Sequence, residues 1–94
     1  MQIFFQGGLN VHFDTSNLTL TSSTVEEHNI KTMSNLISYL TQHFPKSNEL
    51  FTGEDLKNGN LCVINESEWE VLGGKHASLC HTDSIYFISR MHGG

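Results

Sequence analysis

The stretch Asp83-Ser84-Ile85-Tyr86-Phe87-Ile88-Ser89-Arg90-Met91-His92-Gly93-Gly94 decides the fold. Its four consecutive apolar residues, Ile85 to Ile88, are of β type, and such a run reads as a strand covered on both sides or flanked by neighbours. The run stops six residues before the carboxyl end. The chain therefore leaves a buried strand and becomes a short polar lead ending in a diglycine. Glycine has no Cβ, so Gly93 and Gly94 can thread a narrow channel and place a carboxylate against a nucleotide phosphate. Frayed termini also attract glycine, and Gly7-Gly8 and Gly73-Gly74 sit where turns are required. Only the terminal pair carries a free carboxylate. The expected organisation is one domain over residues 1–89 and an exposed tail over residues 90–94.

Working back from this strand, Leu61 to Ile64 is a second strand apolar on both faces. Trp69 to Leu72 between them reads as a short edge strand ending at Gly73-Gly74, with Trp69 a packing anchor rather than a ligand platform. At the start of the chain, Ile3 to Phe5, the turn Gln6-Gly7-Gly8, and the alternation of Leu9, Val11 and Phe13 spell a β-hairpin. Leu18 and Leu20 either extend its second strand or approach the helix. Thr24-Val25-Glu26-Glu27 has capping-box spacing, and Ile30, Met33, Leu36, Ile37, Leu40 and Phe44 recur at helical period until Pro45. Residues 46–60 are polar, with turn signals at Thr52-Gly53 and Asn58-Gly59 and one helical turn expected around Phe51 to Leu56. The predicted class is α+β, a mixed sheet of four to five strands around one main helix. That order is a β-grasp, in which the last strand lies beside the first in mid-sheet.

Ninety-four residues suffice for one core. A net charge of −5, with only five scattered Lys and Arg, argues against direct nucleic-acid binding, which depends on clustered cations. No stretch approaches the roughly 18 apolar residues that span a bilayer, and no apolar signal segment opens the chain. A cytoplasmic monomer is expected, with Asn17-Leu18-Thr19 and Asn65-Glu66-Ser67 as chance glycosylation tripeptides. In that setting Cys62 and Cys80 stay reduced, Cys62 as a small hydrophobe within its strand. The histidines at 12, 28, 43, 76, 81 and 92 show no paired zinc-ligand spacing with the cysteines, so no metal is expected. Glu66, Glu68 and Glu70, at period two, form either an acidic face for a basic partner or a solvated edge. Lys31, Lys46, Lys57 and Lys75 read as surface lysines.

The chain resembles the ubiquitin-related modifier family, eukaryotic sulfur carriers that are also protein modifiers. The likeness is carried by Leu61-Cys62-Val63-Ile64-Asn65-Glu66-Ser67-Glu68-Trp69-Glu70-Val71-Leu72-Gly73-Gly74 and by the stretch from Asp83 to Gly94. In the family these read as an apolar strand, an Asn-acid turn, a Trp-Glu-aliphatic-aliphatic-Gly run, and an Asp-Ser-aliphatic-aromatic-aliphatic-Ser strand leading to His-Gly-Gly. It covers the last third of the chain at residue level and the rest as topology. Arg90 and Met91 depart from the small and leucine residues of that pattern.

The resemblance implies activation at Gly94. An adenylating enzyme would consume ATP to make an acyl-adenylate, and a persulfide would displace AMP to leave a thiocarboxylate. Partners would be that adenylating and sulfur-transferring enzyme, a tRNA thiolation enzyme acting on the wobble uridine, and lysine-bearing target proteins. Met91, His92 and Gly93 would be read by the activating enzyme, His92 through a hydrogen bond in its channel or merely as a solubilising residue. The protein would be carrier and substrate, with no catalytic residues and no bound cofactor of its own. Pure protein modification as in ubiquitin, and carriage of sulfur for molybdopterin- or thiamine-type synthesis, use the same fold and diglycine; a non-covalent adaptor would use the sheet face alone.

Overall fold

The computed structural model describes residues 1–90. Strand β1 (Gln2–Gln6) is followed by a helical turn α1 (Asn10–Phe13), β2 (Asn17–Thr19), α2 (Ser22–Glu27) and the main helix α3 (Met33–His43). A 3₁₀ turn, Pro45–Glu49, leads to a small hairpin of β3 (Phe51–Thr52) and β4 (Asp55–Leu56), then β5 (Asn60–Ile64), β6 (Ser67–Glu68), two further 3₁₀ turns and β7 (Ser84–Ser89). The main sheet runs β2-β1-β7-β5-β6. Strands β1 and β7 are parallel, Ile3 beside Ile85 and Phe5 beside Phe87, whereas β5 is antiparallel to β7. The last strand thus lies in mid-sheet next to the first, as the β-grasp reading expected.

One face of this sheet packs on α3. Met33, Leu36, Ile37 and Leu40 recur at helical spacing and are at most 1% exposed, against Ile3, Phe5, Cys62, Ile64, Ile85 and Phe87 in one core. Each such aliphatic removed from water is worth about 1.5–3 kcal/mol. Aromatic rings thicken the core, with Phe5 stacked on Phe13 at 3.8 Å and Phe51 edge-on to Phe87 at 5.4 Å. The β3–β4 hairpin is tied to α3 and to the 3₁₀ turn Gly74–His76: the Ser34 hydroxyl donates to Glu54 Oε2, and Lys75 Nζ lies 3.6 Å from Glu54 Oε1. The Ser34 bond, and secondarily Lys75, hold the Glu54 carboxyl below its ordinary value.

Four expectations are corrected. Leu9 to Phe13 is a helical turn, not the second strand of the hairpin. Residues 9 and 13 alternate with 11, but they are also four apart, and both are buried while Val11 is 62% exposed, which is the helical solution. Asp14, at φ 57°, ends the turn, and the strand antiparallel to β1 is Asn17–Thr19, with Leu18 opposite Ile3. Thr24-Glu27 does not cap the main helix. It lies within α2, capped by Thr21; the chain breaks at Asn29, φ 52°. The capping box of α3 is formed by Thr32 and Asn35, whose amide oxygen accepts from the Thr32 backbone N–H as the glutamate of the sequence pattern would.

The helical turn expected at Phe51 to Leu56 is a hairpin pivoting on Gly53, φ 62°, and the helical turn falls instead at Pro45–Glu49, where proline is suited to a first helical position. Trp69–Leu72 is a 3₁₀ turn rather than an edge strand. Asn65, at φ 58°, reverses the chain directly after β5, so the edge strand is the short Ser67–Glu68, and Trp69 turns inward to 5% exposure. The expectation for β5 and β7 holds in its second form: each is flanked by a strand on both sides, while Leu61, Val63, Tyr86 and Ile88 are half-buried on the face away from α3.

Gly7 closes the tail end of the β1–β7 pair. Its φ is +70°, and a Cβ there would collide with the backbone carbonyl oxygen of Ser89, whereas a Cβ at Gly8, φ +92°, would meet open space. Gly7→Ala is expected to lose roughly 2–3 kcal/mol and Gly8→Ala roughly 1 kcal/mol, the left-handed backbone alone accounting for the smaller figure. Urea unfolding of both variants checks the difference; equal losses would contradict the close approach.

Candidate functional site

Two parts make up the candidate site: the outer face of the sheet and the end from which the tail departs. On the outer face the register sets Phe4, Tyr86 and Val63 abreast across β1, β7 and β5, with Ile88 beside Leu61 one step nearer the tail. The Phe4 and Tyr86 rings stack at 4.7 Å and 12°. Each side chain is half-buried by its neighbours and retains one accessible side. Polar groups border the stripe, Glu68 opposite Val63 on one edge and Thr19, which donates to Gln2 at 3.0 Å, on the other.

Strand β7 delivers the chain to the tail end in a fixed position. At its start Asn65 acts as a clamp: its amide nitrogen donates to Asp83 Oδ1 and its amide oxygen accepts from the Ser84 N–H, both at 3.0 Å. The backbone N–H groups of Cys80 and Asn65 add bonds to Asp83 Oδ2 and the Ser84 carbonyl, each at 2.7 Å. At its end the Arg90 backbone N–H donates to the Gly59 carbonyl at 2.6 Å. Beside this exit lies a shallow groove of about 410 Å³, bordered by Asp55, Lys57, Glu68, Glu70 and Arg90. The Asn-acid turn and the Asp-Ser start of the last strand are thus residues that position β7.

The residues singled out for chemistry, Met91, His92, Gly93 and Gly94, lie outside the described residues. Of the others, Glu66, Glu68 and Glu70 are all exposed but belong to a turn, a strand and a 3₁₀ turn, so their period of two does not make one strand face. Lys31, Lys46 and Lys57 are exposed and Lys75 is half-buried beside Glu54. Among the described residues no group of three or more His, Cys, Asp or Glu is placed to hold a metal, and no helix is long and apolar enough to cross a membrane. Sequence reasoning missed the outer stripe. Its signal was Phe4, an aromatic at the outward position of β1, matched by Tyr86 at the outward position of β7.

Comparison with known proteins now decides the relationship. The family model described as ubiquitin-related modifier (Urm1) matches residues 1–94. The chain belongs to the ubiquitin-related modifier family. A modifier of this family from Encephalitozoon cuniculi is 31% identical over 96 residues, with all of both chains covered. The solution structure of the family member from Trypanosoma brucei superposes with a TM-score of 0.72 at 25% identity, over 99% of this chain and 93% of that one. A chain from the BexX/CysO complex of Amycolatopsis orientalis, at 15% identity, shares the fold, with a TM-score of 0.75 over 99% and 98% of the two chains. The β-grasp architecture is therefore that of the ubiquitin-related modifiers.

The two thiols of this family member differ sharply in setting. Cys62 faces α3 with no exposure, and burial pushes its thiol up to about 12, so no useful thiolate forms near neutrality. Cys80 is exposed. A thiol-reactive chromogenic disulfide added to the native protein is expected to modify Cys80 promptly and Cys62 only after unfolding; two equivalents reacting at one rate would contradict the buried position of Cys62.

Proposed function

We propose that this family member is a sulfur carrier whose reacting group is the Gly94 carboxylate, and that it acts as substrate rather than enzyme. The observation that supports this reading best is the placement of β7 in mid-sheet, leading straight into a sequence that ends His92-Gly93-Gly94. A carboxylate is too poor an electrophile to accept sulfur. Its oxygen would attack the α-phosphorus of ATP on an activating enzyme, releasing pyrophosphate and forming the acyl-adenylate. A persulfide sulfur of the enzyme would then attack the acyl carbon and expel AMP. Cleavage of the resulting sulfur–sulfur bond by a second enzyme thiol leaves the thiocarboxylate and an enzyme disulfide. The sulfur would pass to the wobble uridine of tRNA through a separate thiolation enzyme that holds the tRNA itself, which suits a carrier of charge −5. Attack by a lysine amine on the activated carbonyl is the route to protein conjugation.

Geometry limits how the activating enzyme can bind. The five residues after Ser89 reach at most about 18 Å when extended, so the folded body must dock close to the adenylation site. The outer stripe of Phe4, Tyr86, Val63 and Ile88 is the apolar surface adjoining that exit, and it is the docking face in this reading. Met91, His92 and Gly93 would line the channel.

The decisive experiment is the intact mass of the full chain after incubation with ATP, an adenylating and sulfur-transferring enzyme of this family and a persulfide donor. Replacement of one oxygen by sulfur is expected, and none in a variant lacking Gly94. Adenylation without sulfur gain would favour pure protein modification; no reaction with several such enzymes would favour an adaptor. In the same assay Tyr86→Asp is expected to raise KM for this chain by about tenfold while leaving kcat near its original value. An unchanged KM would remove the stripe from the docking face.

A further inference from the structure

On the outward side of α2 and α3, away from the outer sheet face, three aromatic side chains meet: His28 just after α2, and Tyr39 and His43 one turn apart on α3. Tyr39 stacks on His43 at 4.2 Å and 24°, and His28 stands at 71° to Tyr39, 4.9 Å away. The two imidazoles are 5.5 Å apart, centre to centre, at 89°. Both histidines are exposed, and His28 and Tyr39 border a cleft of about 150 Å³ together with Asn35, Ser38 and Gln42.

His43 Nδ1 lies 2.9 Å from the Tyr39 backbone carbonyl. A carbonyl oxygen only accepts, so Nδ1 carries the proton and donates. The lone pair of the neutral ring is thereby confined to Nε2. This is the orienting bond that metal-ligating histidines ordinarily make: one ring nitrogen is held by a backbone carbonyl and the other is left free for the ion. Ion-to-nitrogen bonds of about 2.0–2.1 Å place an ion roughly 3.2 Å from each ring centre. Two imidazoles sharing one ion at a near-tetrahedral angle are then roughly 5–5.5 Å apart. The observed separation falls at the upper end of that range.

We propose that His28 and His43 form a two-imidazole site for a divalent transition-metal ion of borderline softness, Cu²⁺ above Zn²⁺ in affinity, with water completing the coordination. Tyr39 is a positioning residue: its carbonyl sets the tautomer of His43, and its ring fixes the imidazole plane. The site lies on the helix side of the molecule, so it leaves the outer sheet stripe uncovered.

The test is titration of the ¹⁵N-labelled full chain with Cu²⁺ alone, followed by amide spectra. Paramagnetic broadening is expected first at residues 28, 39 and 43. Zn²⁺, titrated in a second sample, is expected to shift the His43 Nε2 resonance while Nδ1 keeps its proton. His28→Ala and His43→Ala should each weaken Cu²⁺ binding by about tenfold or more, with amide spectra otherwise unchanged because both side chains are exposed. A variant lacking His12, His76 and His81 should bind as the parent does. Broadening that begins at those three residues or at His92 would overturn the assignment, as would equal affinity in the His28→Ala/His43→Ala double variant.

Discussion

The parallel pairing of β1 with β7 is the constraint on which the rest of this molecule depends. It joins residues about eighty positions apart, Ile3 to Ile85 and Phe5 to Phe87, and such closure is entropically expensive before any contact rewards it. The reward is burial, since all four side chains are at most 2% exposed beneath α3. The same pairing dictates Gly7, because β1 must turn away where Ser89 passes and only a residue without Cβ permits that approach. It also makes the element before the tail the best-supported strand of the sheet, paired along its length on both sides. Pairing on both sides fixes the last described strand up to Ser89, with the core intact beneath it.

Much of this was legible in the sequence where a residue's local preference and its burial agree. Ile85 to Ile88, Leu61 to Ile64 and the helical recurrence of Met33, Leu36, Ile37 and Leu40 each satisfied one period, and the sheet and main helix followed. Legibility failed where two periods coincide or where a single backbone dihedral governs. Leu9, Val11 and Phe13 fit period two, yet Leu9 and Phe13 are also four apart, and sequence alone cannot arbitrate. Val71 and Leu72 beside Trp69 looked like strand residues, but the left-handed Asn65 had already spent the edge strand on Ser67 and Glu68, leaving Val71 79% and Leu72 44% exposed. The capping box failed differently: asparagine at Asn35 did the work for which glutamate is the usual signal.

For the site, the terminal residues were singled out by sequence position alone and lie outside the described residues, whereas the outer stripe was not legible at all. Phe4, Tyr86 and Val63 come from three distant segments, and only the strand register brings them abreast. A four-residue apolar run cannot say whether both its faces are covered or one face is left for a partner. The half-exposure of Tyr86 and Ile88, set against the complete burial of Ile85 and Phe87, resolves that ambiguity strand by strand.

The two thiols and the carboxyl terminus express one principle of division. A group that must react in another protein's active site has to be accessible there and inert elsewhere. Cys62, fully buried and with its thiol pushed up to about 12, contributes packing volume and no nucleophile. A free carboxylate is likewise unreactive until ATP converts it to an anhydride. In the proposed reading the reacting group follows the last strand instead of lying within the core, so the fold needs none of the strain that active sites commonly store. The left-handed non-glycine residues Asp14, Asn29 and Asn65 are all of the types that tolerate that region; each ends or reverses an element, and Asn65 also aims its amide at Asp83 and Ser84. In that reading the outer stripe and the end of β7 are the two features left for a partner to recognise before any bond is made.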